Sequence, residues 1–157
     1  MGTKAKEIVG LNVDELITEL NKAYADEWLA YYQYWITAKV ATGRQAGMVA
    51  KELEEIAEDE LEHAAELAER ILTLGGQPLV NPKQWFAETN CGYAEPPKDP
   101  SDLQAIIKTA VEAERCAIGV YNRLAKKTLH DDPVTYQLML HIMEEEIEHE
   151  DAFERLL

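Results

Sequence analysis

The chain has 157 residues, 46% hydrophobic and 29% charged, the length of a single domain with enough apolar material for a core. Its 15 Lys and Arg stand against 30 Asp and Glu, and a net charge of −15 argues against nucleic acid as a partner, because phosphate binding needs a cationic surface. No apolar run reaches the ~18 residues of a membrane span.

The segment MGTKAKEIVGL (1–11) lacks the apolar stretch of a secretory signal, so a cytoplasmic protein with a short N-terminal tail is expected. Lys6 stands where myristoylation of Gly2 would need Ser or Thr. A first helix is expected from about Asn12, with Glu15 as capping-box partner, to about Thr42, where Gly43 stops it. A second runs from about Gln45 to Leu74 and ends at Gly75-Gly76. The connection 75–100 contains Pro78, Pro82, Pro96, Pro97 and Pro100. Within it NPKQWFAET (81–89) places Asn at an N-cap and Pro at N1, the signature of a short helix. A third helix is expected from about Ser101, with Gln104 as its N3 partner, to about Leu129. The fourth opens at Asp132 with Pro133 at N1 and runs nearly to Leu157.

The links at Gly43 and at His130–Asp132 are short and make antiparallel neighbours. A helix of ~28 residues is ~42 Å long. An extended link of ~25 residues reaches up to ~80 Å, so the connection 75–100 can traverse the bundle. The expected fold is all-α: two antiparallel hairpins joined by one long crossover containing a short helix, residues 1–157 forming a single domain.

Alternating steps of three and four trace one buried stripe on each helix. The stripes read Leu20, Ala23, Glu27, Ala30, Tyr34; Ile56, Glu60, His63, Leu67; Ile107, Ala110, Glu114, Ala117, Tyr121; and Met139, Ile142, Glu146, His149, Phe153. Each is apolar except for Glu, or Glu and His, near its middle. Glu27 and Glu60 are equidistant from the first turn, and Glu114 lies level with Glu146 and His149 across the second. Carboxylates buried there unpaired would each cost several kcal/mol. Two dications would neutralise four carboxylates and take two neutral imidazoles as further ligands. One Glu from each of two helices and Glu-x-x-His from each of the others is the inventory of di-iron carboxylate bundles.

A single Glu-x-x-His in so acidic a chain is ordinarily a solvated helix face. Two of them, in stripe register with matching single glutamates, point to a metal pair. Glu145 also lies one turn from His149, but the stripe register favours Glu146; Glu62 and Glu148 fall between the candidate ligands and are expected in solvent. Cys91 and Cys116 would by default be unpaired thiols in an intracellular chain.

The segments EWLAYYQY (27–34), DELEHA (59–64) and EEIEHE (145–150) resemble the ligand segments of bacterioferritins, including Tyr34 one heptad after Glu27. Leu61 stands where bacterioferritins carry a haem-ligating Met, so the resemblance implies no haem. The short stretch after His149 leaves no room for the fifth helix of 24-subunit ferritins, and no rubredoxin-like Cys-x-x-Cys is present. The short crossover helix resembles Dps proteins, although Dps proteins build their iron site between subunits. Thioferritins, Dps-like proteins with a bacterioferritin-type site and a nearby cysteine pair, resemble the whole chain most.

That resemblance implies a ferroxidase using hydrogen peroxide or O2, ferric iron stored in a 12-subunit cage, and an antioxidant role. It also implies Cys91 and Cys116 as candidate redox thiols in contact, since Cys116 lies ~200° around its helix from Glu114 and faces outward. On this reading Glu60 and Glu146 bridge two irons, with Glu27 and His63, and Glu114 and His149, as terminal ligands; manganese or zinc suit the same donors. The competing readings are a di-iron or di-manganese peroxidase or catalase without storage, and an acidic structural bundle that binds zinc passively.

Overall fold

Capping residues set the helix boundaries in a computed structural model that describes residues 3–157; Gly2 and its lipidation lie outside the described residues. The elements are α1 (Lys4–Glu7), α2 (Val13–Val40), α3 (Ala46–Thr73), a 3-10 turn (Pro82–Gln84) running into α4 (Trp85–Glu88), α5 (Leu103–Thr128) and α6 (Pro133–Glu154). Among the described residues there is no strand, and no helix is long and apolar enough to cross a membrane.

Asn12 caps α2 by accepting from the N–H groups of Asp14 and Glu15 at 3.1 and 3.3 Å. Asp132 caps α6 by accepting from the Thr135 N–H at 3.1 Å, with Pro133 at N1. The cap of α5 is Asp102, not Ser101: its Oδ1 accepts from the Ala105 N–H at 3.0 Å. Ser101 is already engaged, donating through N and Oγ to Asp99 at 2.9 and 2.7 Å, and Gln104 reaches the Leu157 carbonyl at 3.3 Å instead. An aspartate earlier in the turn thus removes the serine from capping. The expected tail also differs. Lys4–Glu7 form one helical turn, and the Gly10 N–H donates to the Asp131 carbonyl at 2.8 Å, tying the segment to the α5–α6 turn. At the end of α3 the N–H groups of Gly75 and Gly76 return to the carbonyls of Leu72 and Ile71 at 3.0 and 2.9 Å, with Gly75 at φ +84°.

Helices α2 and α3 form one antiparallel hairpin, α5 and α6 the other, and α2 faces α5 while α3 faces α6. The apolar stripes meet in two clusters. One, around Leu16, Leu20, Leu67, Ile71, Leu124 and Met139, fills the end of the α5–α6 turn. The other, around Tyr34, Leu53, Ile56, Ile107 and Phe153, fills the end of the α2–α3 turn. Between them lies a polar layer. The crossover is strapped along α2: Asn21 donates to the Gln77 carbonyl and accepts from the Leu79 N–H, and Trp85 of α4 stacks on Trp28 with centroids 5.0 Å apart.

A buried ion pair secures the first cluster. Arg70 of α3 donates through Nη2 to both oxygens of Asp132 at 2.9 and 2.7 Å and through Nε to Thr135 Oγ1 at 2.7 Å. Burial pushes the Asp132 carboxyl up, but the Thr135 hydroxyl, which donates to it, and then the Arg70 guanidinium hold it below its usual value. Arg70→Ala would leave Asp132 buried without its cation and is expected to cost about 3–5 kcal/mol, read as a lowered midpoint of chemical unfolding. A change within 0.5 kcal/mol, the roughly neutral range of surface substitutions, would contradict this account.

Candidate metal centre

The polar layer is built from the residues that interrupt the four stripes. Glu27 comes from α2, Glu60 and His63 from α3, Glu114 from α5, and Glu146 and His149 from α6, and all six are buried. Helical geometry puts His63 and His149 one turn beyond their own glutamates, on the same face. The structure thus brings all six sequence-predicted residues to one place within a single chain. Their donor atoms fall into two groups, each within 4.8 Å: Glu27, Glu60, His63 and Glu146 in one, Glu60, Glu114, Glu146 and His149 in the other. Glu60 and Glu146 belong to both.

These donors do not satisfy one another. His63 Nδ1 lies 3.3 Å from Glu146 and 3.6 Å from Glu27 and Glu60, and His149 Nδ1 lies 3.4 Å from Glu146 and 3.7 Å from Glu60. Glu60 Oε1, both oxygens of Glu146, and Nδ1 of both histidines are buried without a hydrogen-bond partner. Orphaned polar atoms are rare in protein interiors, and a converging set of them needs an explanation. The set fits a dication pair: carboxylate and imidazole donors suit iron, manganese and zinc, and two shared carboxylates can bridge.

The surrounding groups hold this geometry. His63 and His149 aim Nδ1 inward and Nε2 outward, where each meets a carboxylate of the opposite hairpin: Glu145 at 2.7 Å from His63, and Asp59 at 3.3 Å from His149. Tyr34 donates to Glu114 at 2.5 Å, and Tyr121 donates to Glu27. Each brace therefore runs from one hairpin to the other.

Periodicity alone assigns none of these roles to Asp59, Glu145 or Tyr121. The signal was there. Each acid directly precedes a stripe glutamate, about 100° around the helix and so toward the neighbouring helix. Tyr121 follows Glu114 by one heptad as Tyr34 follows Glu27. Glu62 and Glu148 are exposed, as expected.

Burial and mutual repulsion dominate the electrostatics. Burial, then the neighbouring Glu146, pushes Glu60 and Glu114 well above the usual carboxylate range. Burial and Glu27 raise Glu146. Glu27 ends below its usual value: burial pushes it up, but the nearby Glu60 and His63 and the hydroxyl of Tyr121 outweigh that. Burial would lower His63, yet Glu146, Glu27 and Glu60 raise it. Four carboxylates cannot all ionise here without cations.

A pocket of about 540 Å³ opens on the α3–α6 face beside His149, lined by Glu52, Glu55, Asp59, Glu148 and Asp151, the last paired with Arg155. On the opposite face Cys91 of the crossover and Cys116 of α5 form a disulfide, which replaces the default of two unpaired thiols.

The ferritin-like domain pattern matches residues 17–157. The "DNA protection during starvation protein" of Pyrococcus furiosus is 38% identical over 151 residues, covering 96% of this chain and 81% of that one. The bacterioferritin of Desulfovibrio desulfuricans is 32% identical over 143 residues, covering 90% and 74%. The solved structure of a dodecameric thioferritin, the bacterioferritin-related protein of Bacteroides fragilis, superposes with a TM-score of 0.93 at 38% identity, covering 98% of this chain and 92% of that chain. With this match over most of its length, the chain belongs to the ferritin-like domain family, among Dps-like and bacterioferritin-related proteins.

Proposed function

We propose that the protein is a ferroxidase that binds Fe(II) in pairs, oxidises it with hydrogen peroxide or O2, and stores the ferric product in a homo-oligomeric cage, taken as 12 subunits. The observation that carries this reading is the converging set of buried, unpartnered carboxylate and imidazole atoms in two overlapping groups. Glu60 and Glu146 would bridge, Glu27 with His63 would hold one iron, and Glu114 with His149 the other. Each Fe(II) gives one electron; peroxide takes two electrons and two protons to form two waters. Ferrous iron and peroxide are thereby removed together, an antioxidant outcome suited to a cytoplasmic protein.

The acidic pocket beside His149 supports an approach for the cation on the α3–α6 face, since a negatively lined cleft raises local cation concentration. The cage reading rests on the dodecameric relative and on an exposed aromatic face. Tyr32, Trp35 and Phe86 are exposed and cluster with the half-buried Tyr93 on α2 and the crossover, a patch suited to a second copy.

Anaerobic titration of the metal-free protein with Fe(II), followed by peroxide or O2, tests this directly. Saturation at two irons per chain with a diferric absorbance is expected, and Glu27→Ala or His149→Ala should lose most of that absorbance. Binding without oxidation would point to another native metal. Excess iron should then give a soluble ferric core, whereas peroxide consumption without mineral would favour the peroxidase alternative.

The braces carry a second expectation. Asp59→Ala and Glu145→Ala should each weaken metal binding about 10–100-fold by freeing a histidine ring, while leaving the fold intact. Unchanged affinity in both would reduce those carboxylates to surface charge.

The third concerns pH. Glu60, Glu114 and Glu146 hold protons in the folded metal-free protein at pH values where the unfolded chain has lost them, and raised His63 acts in the same sense. The folded state thus binds more protons, so stability falls as pH rises from the ordinary glutamate value of 4.5 toward the raised folded values. The thermal midpoint of the metal-free protein should fall across that window. Zn(II), which displaces those protons, should raise the midpoint most at the upper end. A midpoint that rises with pH in the metal-free protein would contradict the assignment.

A further inference from the structure

Two cavities lie end to end between α2 and α5, on the face opposite the acidic pocket. The outer one, about 390 Å³, opens at the surface beside the disulfide, with Lys108 and Glu112 at its edge. The inner one, about 30 Å³, rests against Glu27, Glu60, Glu114 and Tyr34. Gln33, Cys91, Gly92 and Ala113 border both, so the two are successive chambers with a shared wall. The inner chamber holds about one water-sized molecule. Ala30, Ala113, Ala117 and Gly92 supply its small, uncharged sides, and at its floor Glu60, 1% exposed, has an oxygen without a partner.

The shared wall is built from the crossover and is held firmly. Asp26 accepts from the Asn90 and Cys91 N–H groups at 2.8 and 2.9 Å, from Asn90 Nδ2 at 2.6 Å and from the Thr89 hydroxyl. Gln33 Oε1 accepts from the Ala94 N–H at 3.0 Å, and the Cys91–Cys116 bridge ties the same segment to α5. Gly92 sits at φ +78°, a conformation in which a side chain would be strained. Four donors already engage Asp26, three of them at Oδ1, so it offers little to a passing cation, and a dication would have to shed its water beside alanines. A neutral molecule of two heavy atoms would not.

We propose that this is the route by which small neutral oxidants reach the metal pair, and that Gly92, Ala113 and the Cys91–Cys116 bridge set its bore. The proposal rests on the ferroxidase reading and adds to it a division of faces: the cation arrives from α3–α6, the oxidant from α2–α5. The bore selects by size. Hydrogen peroxide, O2 and nitric oxide pass, and branched hydroperoxides are held in the outer chamber. Ala113 and Ala117 determine this selectivity, and neither belongs to the donor groups of the polar layer.

The test uses the full-length assembled protein loaded anaerobically with Fe(II). Nitric oxide binding, followed by visible absorbance, reports arrival at the metals without turnover; oxidation by hydrogen peroxide and by tert-butyl hydroperoxide reports it with turnover. Ala113→Leu, and Ala117→Leu one turn along, should slow nitric oxide binding and peroxide oxidation about tenfold, with Fe(II) stoichiometry at the wild-type value. The double variant Cys91→Ser/Cys116→Ser, which frees the wall, should raise the rate with tert-butyl hydroperoxide relative to that with hydrogen peroxide. Wild-type rates in both leucine variants would overturn the route. Loss of Fe(II) binding in both would also overturn it, because the alanines would then serve the metal site itself. A wild-type protein that binds iron and nitric oxide but oxidises nothing would contradict the ferroxidase reading instead, while the nitric oxide rates would still decide the route.

Discussion

Everything in this bundle is arranged around one electrostatic problem: four carboxylates and two imidazoles buried at the same height between two apolar clusters. Without cations the layer is repulsive, and only proton uptake relieves it. Two dications would turn the same layer into a set of ligand bonds joining all four helices. The stability the core supplies at either end is what allows such a layer to persist in the middle.

The two hairpins solve this problem in the same way, and each completes the other. Glu27, Tyr34, Asp59, Glu60 and His63 in the first hairpin correspond to Glu114, Tyr121, Glu145, Glu146 and His149 in the second. Tyrosines brace terminal glutamates across the bundle, and carboxylates orient histidines across it. A shift of one hairpin against the other would break all four braces at once. The ion pair of Arg70 with Asp132 adds a fifth cross-link near the α5–α6 turn. The remaining two faces are free to specialise, one acidic and one small-walled beside a disulfide.

Much of this was legible in the amino-acid order. A polar residue in an apolar stripe is conspicuous because helical periodicity says which positions are buried, and equal distances from a short turn say which of them are level. The caps Asn12, Asn81 and Asp132 were equally plain, since each stands directly before a helical pattern, the last two with Pro at N1. Less legible was whatever depended on competition or on distant packing. Asp99 took Ser101 out of capping, leaving Asp102 to cap α5. Asp59 is one acid among 30, and Glu145 reads only as a rival to Glu146 for His149 on its own helix, because the partners of both sit on the opposite hairpin. The path of the crossover over α2, which brings Cys91 to Cys116 and shapes the inner chamber, depends on Asp26 and Gln33, whose partners lie more than 60 positions along the chain. No local pattern announces such bonds.

We propose that a metal pair occupies the layer within each chain. Anomalous diffraction from crystals soaked anaerobically in Fe(II) tests it most directly. Two peaks are expected in every chain, about 3.5–4 Å apart, both flanked by Glu60 and Glu146, one toward His63 and the other toward His149. Peaks only between chains, or none within the bundle at saturating Fe(II), would contradict it.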